Sequence, residues 1–149
     1  MHDVNILRNK YRTLYDIDGI SKEYLDKIEQ KLQIKLPNDF REISSFYSGG
    51  AVGGIDIHSF ILSDPTNFIG ETLRIREAVD LPNRFVVIAE QAESIIVMDT
   101  ENKPSIIWLD SVEVTKLEKQ DFISKPDVWQ DFSDFLNYLL DEEEEERKY

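Results

Sequence analysis

Three short runs rich in Val and Ile, Phe85 to Ala89, Ser94 to Asp99 and Ser105 to Leu109, constrain this chain more than any other feature. Short polar stretches separate them, one containing Asn102-Lys103-Pro104, and that spacing predicts an antiparallel meander. The runs do not alternate apolar with polar. Ile95 and Val97 fall on one face, Ile96 and Met98 on the other. A sheet apolar on both faces must be covered on both, and helices are the available cover.

The flanking sequence offers such helices. Val4, Leu7, Tyr11 and Leu14 share one helical face, with Asp3 placed to cap it. Asp18-Gly19 makes a turn, Ser21 caps a second helix, and Leu25, Ile28 and Leu32 line its face. Leu36-Pro37 breaks that helix and opens a third, bearing Phe40, Ile43, Phe46 and Tyr47 and ending at Gly49-Gly50. Ile55 and Ile57 alternate with Asp56 and His58 as a strand leaving the glycine turn, and residues 66–80 form a weaker helix. After Pro126, Asp127 and Gln130 read as a capping box. Val128, Phe132, Phe135, Leu136 and Leu139 continue as an amphipathic helix. It runs into six consecutive acids, Asp141 to Glu146, which oppose the helix macrodipole and are expected to fray. The expected fold is α+β: a meander of about four to five strands packed with N-terminal helices and a C-terminal amphipathic helix. The expected division is one domain over residues 1–140 and an acidic tail over 141–149.

Charge narrows the partners. Thirty acids against 17 bases give a formal charge of −13. Residues 1–37 are almost neutral, with seven bases and six acids, whereas residues 110–149 hold 13 acids and five bases. Affinity for phosphates comes from Lys and Arg displacing counterions, so direct nucleic-acid binding is not expected. A basic protein partner suits this field, although the charge also serves solubility. No apolar run approaches the roughly 20 residues of a membrane span, and polar residues interrupt Val4, Ile6 and Leu7 before Arg8, Lys10 and Arg12, so no export-signal core is expected. The chain has no cysteine, which suits a reducing cytoplasm.

Catalytic patterns are scarce. The two histidines are His2 and His58, and no Gly-x-Ser-x-Gly elbow occurs. Gly49, Gly50, Gly53 and Gly54 follow a helix and precede a strand, the reverse of a phosphate-binding loop, so they read as a helix stop and turn. Asp16-Ile17-Asp18-Gly19 lacks the later ligands of a calcium loop. Neither a cofactor nor a metal site is expected. The acids Glu90, Glu93, Asp99, Asp110 and Glu113 fall at or near strand ends. Trp108 lies two residues from Asp110, and a large aromatic ringed by acids suits a surface for a basic protein. The competing reading puts Trp108 in the core.

The run Leu36-Pro37-Asn38-Asp39-Phe40-Arg41, continuing to Phe46-Tyr47-Ser48-Gly49-Gly50, resembles the "Leu-Pro, acid, aromatic … Gly" helix of the SUKH (Smi/Knr-type) superfamily. Phe85 to Ala89, Glu93 to Asp99 and Ile106 to Asp110 are similar to its meander strands, and Trp129, Phe132, Phe135, Leu136 and Leu139 to its closing helix. The likeness spans roughly residues 20–140. The loop Glu90-Gln91-Ala92-Glu93 departs from the family's glycines and Asp. The resemblance implies an α+β fold and, in bacteria, a non-enzymatic immunity protein made beside a polymorphic toxin, many of which carry nuclease tips. The toxin, a basic domain encoded by an adjacent gene, would be occluded by acids standing in for phosphates. A regulatory scaffold and a carboxylate-dependent hydrolase are the alternatives.

Overall fold

A computed structural model describes residues 2–148. The helices α1 (Val4–Arg12), α2 (Lys22–Leu32) and α3 (Asn38–Ile43) come first. A hairpin of β1 (Gly50–Val52) and β2 (Ile55–Ile57) leads to α4 (Phe68–Val79). Then follow β3 (Phe85–Glu90), β4 (Ser94–Asp99), β5 (Ile106–Asp110), a 3-10 helix (Ser111–Lys116), β6 (Asp127–Trp129) and α5 (Phe132–Glu146).

The caps expected for the first two helices form. Asp3 accepts the N–H groups of Asn5 and Ile6, and the Ser21 hydroxyl accepts from Tyr24. The third helix is shorter than its apolar pattern, and tight turns carry Phe46 and Tyr47 onward into the core. The glycine run then makes a hairpin in which Val52 faces Ile55, leaving a two-residue turn of Gly53-Gly54. Both turn residues have positive φ, 59° and 81°, the conformation such a turn needs. Gly53 also lies so close to α5 that an added Cβ would stand 2.5 Å from the Leu139 carbonyl oxygen.

The main sheet is an antiparallel meander in the order β3-β4-β5-β6. The hairpin borders its first edge, where the His58 N–H donates to the Ile88 carbonyl at 2.9 Å. A bulge between Val87 and Ala89 interrupts the β3–β4 register. Beside it the Val87 N–H donates to the Thr72 hydroxyl of α4 at 2.8 Å, so the helix satisfies a buried strand donor. Both faces of the sheet are covered. Val86, Ile96, Met98 and Ile106 join the large core with α1, α2, α3 and α5. Phe85, Val87, Ile95, Val97, Ile107 and Leu109 pack in a smaller core with Leu81, Leu117 and the half-buried Ile75, Val79, Val114 and Phe122. That second cover comes from the end of α4, the 3-10 helix and the loop after it.

The start of the closing helix is a correction. Asp127 to Trp129 form a strand, with Val128 opposite Ile107, and the helix begins at Phe132. The side chain that caps it belongs to Asp131, which accepts the Asp134 N–H at 2.9 Å. Val128 lies four residues before Phe132 and so fits the helical period, but pairing with β5 satisfies its backbone instead.

Asp39 explains why an acid follows Leu36-Pro37. Only 7% exposed, it accepts the Phe40 N–H at 2.9 Å and the Ser133 N–H at 2.8 Å, joining the start of α3 to the start of α5. Burial pushes its carboxyl above the usual range, and the neighbouring Asp131 adds to the rise. A raised carboxyl favours the folded state at low pH, and that contribution fades as pH rises through the folded pKa. Replacing Asp39 with Asn should therefore cost less at pH 7 than at pH 4 in urea titrations; an equal or larger loss at pH 7 would contradict the sign.

The helix α5 does not end at the acids but runs through them to Glu146. Contacts on one side offset the unfavourable dipole. Glu143 accepts the Gly53 N–H at 3.0 Å and pairs with Arg147 Nε at 2.9 Å. Arg147 donates to the Leu14 carbonyl at 2.8 Å, and Lys10 pairs with Asp141. Tyr15 feels this end: burial first, then its bond to Glu143, pushes the phenol up to about 12. Ending the chain after Leu140 should lower stability by about 1–2 kcal/mol, several degrees in Tm. It should also bring the Tyr15 phenol down in a spectrophotometric titration. An unchanged Tm and phenol would mean that these contacts contribute nothing.

Candidate partner interface

Strand register brings distant residues to one end of the sheet. Ser94 faces Asp110 across β4 and β5, and Trp108 faces Asp127 across β5 and β6. The turn of Gln91, Ala92 and Glu93, the end of β5 and the start of β6 therefore share one rim. Glu93, Asp110 and Asp127 are all exposed there.

Trp108 anchors an aromatic ledge beside that rim. Its Nε1–H donates to the Ser94 hydroxyl at 2.9 Å, which fixes the indole's orientation. The ring stacks on Trp129 with centroids 6.4 Å apart and planes 28° apart. Trp129 packs in turn on Phe135 at 4.7 Å and on Tyr138 at 5.2 Å. Phe135 is buried, both tryptophans are half-buried and Tyr138 is 38% exposed, so the row climbs from core to solvent. Each tryptophan packs one side on the large core and leaves the remainder of its ring at the surface. Beyond Tyr138 the next turn of α5 carries the exposed Asp141 and Glu142.

Unusually exposed aliphatics complete the region. Val112 is 85%, Ile123 86% and Val128 45% exposed. Buried Glu113 holds the first two near one another by accepting the N–H groups of Ile123 and Ser124. Lys116 ends the 3-10 helix, and Lys119 and Lys125 lie on the loop after it, so this region is acidic in balance rather than uniformly.

The six residues singled out from sequence thus separate. Glu93, Asp110 and Trp108 come together. Glu90 lies at the same end but turns inward, with Oε2 3.0 Å from His58 Nε2 and Oε1 accepting from Arg74 at 2.6 Å. Glu113, 3% exposed, is held by its loop and by Lys116 Nζ at 3.7 Å. Asp99 lies at the opposite end of β4, 2% exposed. It accepts the N–H groups of Glu101 and Asn102 at 3.0 and 3.1 Å and pairs with Arg84 at 3.3 Å. Sequence spacing alone does not point to Asp127, Trp129, Tyr138, Val112 and Ile123 at this surface. An alternation of acid, Val and Trp directly after Pro126 carried a strand signal that the capping-box reading obscured.

Among the described residues, no group of three or more His, Cys, Asp or Glu is arranged to hold a metal ion. No helix among them is long and apolar enough to cross a membrane. The distinction between rim and buried acids is measurable. Asp99→Ala leaves two turn N–H groups and Arg84 without their acceptor and should cost about 2–3 kcal/mol. Asp110→Ala should stay within about 0.5 kcal/mol of the parent. Equal losses in denaturant titrations would refute the assignment.

Against known families, the model described as SUKH_5, SMI1-KNR4 cell-wall, matches residues 3–141. No curated protein matches the chain.

Proposed function

The chain belongs to the SUKH superfamily, and on that footing we propose that it is an immunity protein: a non-catalytic inhibitor that binds a cognate basic toxin and covers its active site. The observation that carries the reading is the half-exposed Trp108–Trp129–Tyr138 ledge beside the acids Glu93, Asp110 and Asp127, on a chain of charge −13. Aromatic rings seated partly on a rigid core lose little freedom on binding, which is why such residues dominate binding hot spots. Exposed carboxylates around them attract a basic surface from a distance and repel acidic ones.

A toxin with a nuclease tip suits this chemistry best. Such an enzyme collects Lys and Arg around the phosphates it cleaves, and a rim of carboxylates presents the same charge to the same cleft. The inhibitor needs no catalytic group for this. His58, the half-buried histidine, already faces Glu90.

The test is co-expression with the product of the adjacent gene, followed by binding kinetics on the purified pair. Association should slow as salt rises from roughly 0.05 to roughly 0.5 M, because the Debye length contracts across that range. Glu93→Lys and Asp110→Lys should slow association further, whereas Trp108→Ala or Tyr138→Ala should speed dissociation at a cost of about 2 kcal/mol. No complex with the adjacent product, or an affinity indifferent to salt, would defeat the toxin-inhibitor reading.

A further inference from the structure

The strand β6 ends the sheet: β3 is bordered by the hairpin, while nothing follows β6 in the strand order. Its backbone alternates in a known phase. The Gln130 carbonyl accepts the Ser105 N–H at 3.0 Å, so Gln130 and Val128 face β5. The N–H and C=O groups of Asp127 and Trp129 therefore point away from the sheet. An unpaired edge is a template for another strand, and natural proteins protect such edges with Pro, charge and short length. Pro126 and Asp127 supply the first two, and three residues the third.

Resting on the inhibitor reading above, we propose that β6 receives an extended, Lys- or Arg-bearing segment of the partner as a fifth strand of the sheet. Charge selects this occupant. Pairing with a second copy would press together two chains of charge −13, each with Asp127 on its edge. A basic segment meets the opposite situation. Asp127 and Trp129 project on the same face, so a cationic side chain on the incoming strand gains a carboxylate and, one pair along, a half-buried indole as neighbour. Val128 projects on the other face, beside Ile107, and at 45% exposed it offers the added strand an apolar neighbour. The backbone bonds hold the segment, and the side chains select it.

The probe is an acetylated, amidated nine-residue peptide alternating Lys with Thr, compared with a version of equal charge whose alternate amides are N-methylated. The unmethylated peptide should slow amide exchange at Asp127 and Trp129 at least about tenfold and bind at least about tenfold more tightly than the methylated one. On the protein side, Asp127→Asn removes the charge, and Asp127→Pro removes charge and edge donor together. The proline variant should bind at least about threefold more weakly than the asparagine variant. Equal binding of the two peptides, no binding of either, or exchange protection elsewhere overturns the proposal, and the peptide arm decides even if Asp127→Pro misfolds. A chain that captures the adjacent gene's product yet treats both peptides alike keeps its proposed function and loses this mode of recognition.

Discussion

A four-stranded sheet apolar on both faces cannot exist in water without two covers, and the rest of the molecule answers that demand. The larger cover is assembled from elements far apart in sequence. Phe40 of α3 meets Phe132 of α5 at 4.9 Å and, by the same distance, Phe60 after the hairpin. Asp39 then ties α3 to α5 by a buried hydrogen bond to Ser133. The smaller cover is thinner: one helix end, a 3-10 turn and a loop whose path depends on Glu113. The candidate interface straddles the free strand: its aromatic ledge sits on the larger cover's side, and the exposed Val112 and Ile123 belong to the segment that forms the thinner one. Val112 and Ile123 remain in water because their neighbours Val114, Leu117 and Phe122 turn to the second face and leave these two side chains outward.

The same carboxylate chemistry does two kinds of work here, and burial separates them. Asp39, Asp99, Asp131 and Glu113 are nearly inaccessible, and backbone N–H groups orient each of them. Removing one would leave donors unsatisfied in a medium that penalises them. Glu93, Asp110 and Asp127 have no such duties and add only to the field around the sheet's end. Net charge therefore overstates how many acids are free to meet a partner.

Much of the architecture was legible because hydrophobic period reports directly which face is buried. The meander, the capped N-terminal helices and the likeness to a known family all rested on such patterns, and the strands fall where the Val and Ile runs placed them. Three features were not legible, each for a physical reason. The strand Asp127–Trp129 fits a helical period too, and only its pairing with β5 decides. The first hairpin strand contains a single buried side chain, Val52, too little for a pattern. The acidic end of α5 looked destined to fray because its partners, Gly53, Leu14 and Lys10, are distant in sequence. Site residues suffered likewise. Strand ends are easy to find, but which end of the sheet each occupies follows from register, so Asp99 was grouped with Glu93 although the length of β4 separates them.

For the inhibitor proposed above, specificity for a basic partner demands that copies of the chain not pair with one another at their exposed edges. A free edge, half-exposed tryptophans and bare aliphatics would ordinarily invite self-association. The charge of the chain opposes it, and most strongly where the rim acids and the acidic end of α5 flank the ledge. The repulsion costs little when the carboxylates are solvated and disappears when a partner brings Lys and Arg to meet them. The acids around the ledge thus have a role even in the absence of any single strong ion pair. In the proposed inhibitor they would keep the ledge open to a basic partner and closed to its own copies.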